Sequence, residues 1–381
     1  MRIAINALTI TPGISISAQV YLTNLLDALQ RNDPINEYIL VAAPWNAYLF
    51  PHPSGNLAVV VVPWRRGRVR RVVLEQAALP SILREERADV YYAVQGNALP
   101  LQLPCPSILN IHYMQNFSFP ESLPWVRRLC LGVMMRHAAR KASRIICGSQ
   151  SVKAEIIRYL GVPPEKVRVV YHGIAKIFLD ERHEASEGFV ATLGIKKPYV
   201  LSIGNALPHK NLGRLIQAYV QVKHWGSFPH QLVIVGEARI RETLSTDLAG
   251  VPLPLREQII FTGYLENRHL PSLYRSADLF VFPSYCESFG IPLLEAMASG
   301  TPIVTSNIQA MPEITGGAAY LVNPFDSMDL ALGMLRVLTE AELREELIYK
   351  GQARIRDFSW DQTAQETVKV FEEIARLSDA G

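Results

Sequence analysis

The stretch Asp278-Leu279-Phe280-Val281-Phe282-Pro283-Ser284-Tyr285-Cys286-Glu287-Ser288-Phe289-Gly290-Ile291-Pro292-Leu293-Leu294-Glu295-Ala296-Met297-Ala298-Ser299-Gly300-Thr301-Pro302-Ile303-Val304-Thr305 decides the fold. Leu279 to Phe282 is a continuous apolar run, the pattern of a strand buried on both faces. Pro292 suits the first turn of a helix, and Gly300 is placed to stop that helix. Another strand begins at Thr301. The unit is therefore strand, loop, short helix, strand, and the loop lies at the carboxyl end of a parallel strand, where open α/β sheets bind ligands. The amides of Ser288, Phe289, Gly290 and Ile291 fall at the helix N-terminus, where unpaired donors and the helix dipole favour an anion. Glu287 lies in the loop, and Glu295 about one turn into the helix. Two carboxylates would repel a phosphate they touched, so they make sense as acceptors for hydroxyls on either side of it. A sugar on one side and a ribose on the other meets that demand.

The Glu-x7-Glu segment resembles the signature of retaining, nucleotide-sugar-dependent glycosyltransferases of family 4, which have the GT-B fold. The resemblance implies that Glu287 and the loop amides of Ser288, Phe289, Gly290 and Ile291 hold the donor sugar and diphosphate, while Glu295 holds the ribose. It also implies an α/β protein of two Rossmann-like, doubly wound parallel-sheet domains facing across a cleft. The C-terminal helix is expected to cross back to the first domain.

Outward from this stretch, short apolar runs alternate with helical patterns almost throughout. They include Ile3–Ala7, Tyr38–Ala42, Val90–Ala93 and Ser107–Ile111 in the first half, and Tyr199–Ile203, Leu232–Val235 and Ile259–Thr262 in the second. Apolar strands with helices between them indicate parallel sheets covered on both faces. A length of 381 residues suits two domains. The expected division is an acceptor domain over 1–180, joined by a terminal helix over 361–381, and a nucleotide-sugar donor domain over 190–360. The polar stretch from Phe178 to Lys197 reads as the connection.

Composition narrows the partners. Residues 1–180 hold 20 Lys and Arg against 11 Asp and Glu, whereas the remainder holds 18 against 24. A basic first half and an acidic second half suggest unlike partners for the two. No run of about 18 apolar residues suggests a membrane span, and Met1 leads straight into a strand, so the expectation is a cytoplasmic protein. Cys105, Cys130, Cys147 and Cys286 lack metal-like spacing; three of them sit in apolar surroundings and read as small core residues. A dinucleotide-binding start needs a Gly-x-Gly-x-x-Gly turn after the first strand, and here only Gly13 precedes Gly55. No Walker phosphate loop occurs, and no Asp-x-Asp metal carrier, so neither a metal nor a cofactor is expected.

The strand Tyr199–Ile203 runs into Gly204-Asn205-Ala206-Leu207-Pro208-His209-Lys210-Asn211-Leu212. Lys210 thus sits at the start of a helix, at the carboxyl end of its domain's first strand, where a cation would offset a leaving diphosphate. The family usually has Arg and Lys here; Lys210 matches the Lys, but Asn205 stands at the Arg position, with His209 nearby. Gly204, Asn205 and Lys210 are donor-binding candidates. In the first half, a loop through Gly13 precedes a helix carrying Val20-Tyr21, where the family has a Gly-rich loop and Arg-Tyr. Gly13 is a donor-binding candidate in a loop whose length suggests a mobile lid. His112 ends a strand and can face the cleft, so His112, Lys210 and Glu287 are the catalytic candidates. Tyr113 replaces the Asp usual after that His, and His172 reads as a hinge residue. Asn307 and Glu313, after the strand at Ile303, are candidates of second rank.

The implied reaction is transfer of a hexosyl group from a nucleoside-diphosphate sugar to a glycan or lipid-linked acceptor, with retention of configuration. The Pro-x-Lys-Asn-Leu form of the Lys210 loop resembles mannosyltransferase-like members, which favours GDP-mannose over a UDP-sugar. Two segments, Arg65–Arg71 beside Trp64 and Trp125–Lys141, join arginines to apolar residues and suit an anionic membrane surface, with peripheral attachment. Nucleic acid is not expected, since there is no recognition module. A nucleotide-sugar epimerase of the same fold, or a non-catalytic sugar-nucleotide-binding scaffold, are the alternatives.

Overall fold

The structure is a computed structural model, described here for all residues except 14, 51–54, 64–73, 96–98, 120–123, 181–186, 227, 238 and 380–381. The chain divides into two units, Met1–Gly173 with Ser359–Gly381, and Ile174–Phe358.

The first unit is built on seven strands: β1 (Arg2–Asn6), β2 (Glu37–Ala42), β3 (Leu57–Val61), β4 (Val90–Ala93), β5 (Ser107–Asn110), β6 (Arg144–Cys147) and β7 (Val167–Val169). Their order is β3-β2-β1-β4-β5-β6-β7, and every pairing is parallel. Because side chains alternate along a strand, Ile3 and Ile5 enter one core with Tyr21, Leu25 and Phe371. Ala4 enters another, with Leu83, Tyr91 and Ile145. Burial on both faces is what makes these strands read as unbroken apolar runs.

The helix Trp360–Asp379 belongs to this first unit. Ala364, Phe371 and Ile374 lie on one stripe of it and are buried, and Phe371 meets Tyr92 edge-on at 5.6 Å between centroids. Glu373 accepts from Arg144 at 2.8 Å and from Arg168 at 2.7 Å, tying the helix to β6 and β7.

The second unit has six strands: β8 (Tyr199–Ile203), β9 (Gln231–Val235), β10 (Ile259–Gly263), β11 (Leu279–Phe282), β12 (Ile303–Ser306) and β13 (Tyr320–Val322). Their order is β10-β9-β8-β11-β12-β13, again parallel throughout. Val200, Leu279 and Val281 pack on Leu215, Ile216 and Tyr219 of the helix Leu212–His224.

The junction falls earlier than the sequence suggested. Phe178 is buried and meets Tyr274 edge-on at 5.9 Å. Arg275 donates to the carbonyls of Phe178 at 3.1 Å and Asp180 at 3.0 Å. These contacts commit the residues after Gly173 to the second unit, so the start of the expected connection is packed structure. Cys147 is buried, Cys105 and Cys286 are half-buried, and Cys130 is exposed. Cys130 lies in the opening turns of the helix Trp125–Lys141, which are exposed on every side from Trp125 to Cys130. The arginine run Arg65–Arg71 lies outside the described residues. Among the described residues, no helix is long and apolar enough to cross a membrane.

Candidate active site

In each sheet the connections leave in opposite directions from one pair of neighbouring strands, and that switch point is where a crevice opens at the strands' carboxyl ends. In the second unit the pair is β8 and β11, which register Val200 against Leu279 and Leu201 against Phe280. Their loops carry Lys210 and Glu287, 77 residues apart, and the topology makes them neighbours: Lys210 Nζ donates to Glu287 Oε1 at 2.6 Å. The two side chains are only 16% and 14% exposed. A half-dry pair such as this is held by geometry, since desolvation offsets much of its attraction.

That geometry has several sources. Lys210 Nζ also lies 5.1 Å from the centroid of Phe282, a cation–π contact. A Cβ on Gly204 would come within 3.4 Å of the Lys210 side chain, so glycine leaves the lysine room to lie over β8. Gly236, at the end of β9, is the stricter case: its added Cβ would lie 1.8 Å from the Gly204 carbonyl oxygen. Asn211 occupies the left-handed region at φ 58°, which Asn tolerates better than most residues. Its amide donates to the carbonyls of Pro283 at 3.0 Å and Pro324 at 2.7 Å, pinning the lysine loop to the ends of β11 and β13. The Tyr285 amide donates to the His209 carbonyl at 3.0 Å. Burial pushes the His209 imidazole down, with Glu287 opposing that shift and Lys210 adding to it.

Glu287 leads into the helix Ile291–Ala298. Gly290 stands at its N-cap with φ 90°, no side chain caps the helix, and Pro292 lies in its first turn. Amides at such an end are donors looking for an acceptor. The Phe289 side chain turns away into the core, 1% exposed and edge-on to Phe358 at 5.8 Å. The Phe289 side chain is therefore turned away from a ligand at this helix end. Glu295, one turn on, accepts from the Tyr274 hydroxyl at 2.8 Å. Burial raises its carboxyl to about 7, and the Tyr274 hydrogen bond opposes that rise.

The first unit has a different centre, around β1, β4 and β5. Asn6 donates to the Tyr91 hydroxyl at 2.8 Å, and the hydroxyls of Tyr21 and Tyr92 share a hydrogen bond of 2.7 Å. His112 is buried, 3.4 Å from the Asn110 amide nitrogen and edge-on to Tyr21 at 4.9 Å. Burial pushes its imidazole down to about 4, against a hydrogen bond with the Val94 backbone. His172 joins this group, 5.9 Å from His112 and stacked on Trp360 at 6.0 Å. Burial, then His112, push it down to about 3. Next to it, a Cβ on Gly173 would lie 2.1 Å from the Trp360 nitrogen, so the two connecting segments touch at a glycine.

Lys210, Gly204, Glu287, Gly290, Ile291 and Glu295 thus share one switch point. At Asn205 the side-chain oxygen accepts from the Leu207 amide at 3.2 Å and shapes the turn. Asn307 is exposed beyond β12, its amide bonded to the Val322 carbonyl at 2.8 Å. Glu313 sits in the first turn of the short helix Met311–Thr315, where its carbonyl accepts from Arg354 at 2.9 Å. Gly13 belongs to the first unit, exposed, at φ 73°. The loop before it is less free than a lid, because Asn46 donates to the carbonyls of Ala7 and Ile10, each at 2.8 Å. Tyr274, Asn211, Phe282 and Gly236 escaped sequence reasoning. For Asn211 a signal existed, its place directly after the lysine; Tyr274 reads as one apolar position among several.

A cavity of about 400 Å³ opens beside the lysine loop, lined by Asn205, Asn211, Arg214, Asp247 and Tyr285 among others. Neither Lys210 nor Glu287 lines it, so it adjoins the ion pair without enclosing it. Among the described residues, no group of three or more His, Cys, Asp and Glu side chains is arranged to hold a metal ion.

Comparison with known proteins agrees with this architecture. Residues 184–354 match the family model described as glycosyl transferases group 1, and residues 18–176 match that described as glycosyltransferase family 4. An O-antigen chain mannosyltransferase B of Escherichia coli is 27% identical over 70% of this chain and 70% of its own length. An uncharacterised glycosyltransferase of Methanocaldococcus jannaschii is 33% identical over 61% of this chain and 60% of its own length, which is less than two thirds. Among solved structures, the Anabaena protein HepE in complex with UDP-glucose is similar with a TM-score of 0.76 at 20% identity, over 98% of this chain and 100% of that one. With its two halves matched in turn by these models and the expected GT-B fold in place, the chain belongs to the group 1, family 4 glycosyltransferases.

Proposed function

We propose that this protein transfers a hexosyl group from a nucleoside-diphosphate sugar to a glycan or lipid-linked acceptor, with retention of configuration. The observation that carries this reading is the meeting of Lys210 and Glu287 at 2.6 Å beside an uncapped helix N-terminus. A diphosphate fits there: the Lys210 ammonium and the amides of Gly290 and Ile291 would take up the charge that develops as the bond between the anomeric carbon and phosphate breaks. No divalent ion is required in this scheme. Glu287 then accepts from sugar hydroxyls and Glu295 from the ribose. His112, kept neutral at physiological pH by burial and lying beside Asn110, is the catalytic candidate of the first unit.

Glu287 is a poor candidate for a covalent nucleophile, because its carboxylate is already engaged by Lys210. Retention is then best served by attack of the acceptor hydroxyl on the same face that the diphosphate leaves, its proton passing to the departing phosphate oxygen. Mannosyltransferases among the relatives favour GDP-mannose as donor; a UDP-sugar is second, supported by the UDP-glucose complex of a protein with the same fold. For the acceptor side, the helix Trp125–Lys141 exposes Trp125, Leu129 and Val133, at 71%, 60% and 58%, next to exposed Arg127, Arg128, Arg136 and Arg140. That mixture complements an anionic lipid surface.

The test is a melting panel of GDP-, UDP-, ADP- and dTDP-sugars, followed by product analysis with and without acceptor. A donor at 100 times its dissociation constant adds roughly 2.7 kcal/mol of stability. One nucleotide class should stabilise the protein and be consumed only with acceptor. Consumption without acceptor would mean an epimerase, and binding without consumption a scaffold; no binding by any of them would overturn the reading.

A further inference from the structure

Tyr274 is among the most enclosed side chains of the second unit, 0% exposed in the helix Leu270–Ser276. Phe280 meets its ring at 5.0 Å and Phe178 at 5.9 Å, each edge-on, so the ring has a single setting. The Thr301 hydroxyl donates to the Tyr274 carbonyl at 2.7 Å and fixes the backbone below it. A residue needed only to fill this space could be phenylalanine. Its hydroxyl instead reaches the adjoining helix, donating to Glu295 Oε2 at 2.8 Å, with the Pro292 carbonyl at 3.3 Å.

We propose that Tyr274 is a positioning residue for the nucleotide subsite, holding the Glu295 carboxylate in the orientation and charge state that accepts the two ribose hydroxyls. This rests on the reading of Glu295 as the ribose acceptor. A carboxylate has room for about four hydrogen bonds. The Tyr274 hydroxyl takes one position on Oε2 and leaves Oε1 and the remaining lone pairs for a vicinal diol. It also favours the ionised form at a site where burial favours the neutral acid. Of the titratable groups on the elements packed around the Glu295 helix, Tyr274 is the one that bears on this carboxyl. Arg275 is turned to the carbonyls of Phe178 and Asp180, and Arg354 to Asp357 and the Glu313 carbonyl.

The experiment measures affinity for GDP and UDP by calorimetry from pH 6 to pH 9, with donor KM and kcat alongside, for wild type, Tyr274→Phe, Glu295→Gln and the double variant. In wild type, affinity should fall as pH drops below about 7, as Glu295 takes up its proton. Tyr274→Phe should move that limb to higher pH and weaken binding near neutrality by roughly fivefold. The loss should lie in KM and be largely recovered at pH 9. Glu295→Gln should be weak and flat with pH, and adding Tyr274→Phe to it should change nothing further. A Tyr274→Phe variant equally weak at every pH, or one that weakens Glu295→Gln by the same factor, would reduce Tyr274 to packing and overturn the proposal. Nucleotide affinity unchanged in Glu295→Gln would sink the ribose reading itself, whatever Tyr274 does. Should Tyr274→Phe fail to fold, wild type decides: the Tyr274 hydroxyl proton must respond in NMR spectra to the Glu295 transition, and a resonance that ignores it overturns the proposal.

Discussion

The crossover between β1 and β4 and that between β8 and β11 occupy the same place in two parallel sheets of like order, yet they carry opposite chemistry. Around the first lie Asn6, Tyr21, Tyr91, His112 and His172, all buried, and burial keeps the two imidazoles neutral. Around the second lie a close ion pair and a carboxyl whose proton is nearly balanced at pH 7. Topology supplies the crevice twice, and the residues at its rim decide what each can hold. Net charge is a poor guide to this. The acidic half of the chain carries the proposed phosphate site, because one lysine at 2.6 Å from its partner and one helix end act locally. Distant surface carboxylates are screened over about 8–10 Å.

The largest effect should come from breaking the charged switch point. Lys210→Ala is expected to lower kcat by about 10²–10³, as loss of a transition-state donor usually does, and to destabilise the second unit by leaving Glu287 half-buried and unpaired. Lys210→Ala with Glu287→Ala should recover melting temperature without recovering turnover. Recovery of both would mean that the pair is structural only, and the contrast between the switch points would vanish.

Next in size is the close backbone approach that each unit tolerates through glycine. Gly236→Ala and Gly173→Ala place a methyl 1.8 Å and 2.1 Å from backbone atoms, and overpacking on rigid neighbours costs about 1–3 kcal/mol or more. Denaturant titration should show both losses. Nucleotide binding should suffer far more from Gly236→Ala, since that methyl displaces the strand end on which Lys210 rests. Equal losses of binding would blur the difference between the two regions.

Smaller, but more diagnostic, is the response to pH. His112 and His172 have folded values below that of unfolded histidine, so their neutral burial stabilises the first unit above about pH 6.5. That contribution is lost as pH falls toward about 4 and about 3; for His112 it amounts to about 3 kcal/mol. Glu295 runs the other way. Its folded value is raised to about 7, so its contribution is full below its unfolded value of 4.5 and is lost as pH rises through 7, on the order of 1–3 kcal/mol. Acid should therefore weaken the first unit while relieving the second at this residue. Separate tryptophan and calorimetric signals during acid titration would read it, and His112→Gln with His172→Gln should flatten the first slope alone.

The smallest effect on stability belongs to the exposed helix. Trp125→Ser with Leu129→Ser should change folding by less than about 0.5 kcal/mol, while abolishing sedimentation with vesicles rich in anionic lipid. Retained binding by the variant would take this helix out of the membrane contact, and failure of the wild type to bind such vesicles would remove the membrane from the proposed function.

Much of this was legible beforehand. The runs at Tyr199, Leu279 and Ile303 became β8, β11 and β12 within one residue at either end, because a strand buried on both faces must be apolar at successive positions. Gly300, Pro292 and Gly290 announced where the site helix begins and ends, because backbone conformations at such positions admit few residue types. Lys210, Glu287 and Glu295 were singled out by local context. The junction was misplaced, since the polar look of Phe178 to Lys197 as a whole hid that its first residue, Phe178, is buried at the end of the short helix Lys176–Leu179.

Sequence by itself determined the strands, the order of helices between them, the residue types at the rim and the family. Those properties follow from periodicity, from caps and from backbone conformations, all of which act over a few residues. Only the tertiary structure decided that Lys210 closes on Glu287 across 77 positions, that Asn211 fastens their loops together, and that Tyr274 reaches Glu295 from another helix. Each of these depends on which strands lie side by side, and strand order is set by the packing of whole layers rather than by any local signal.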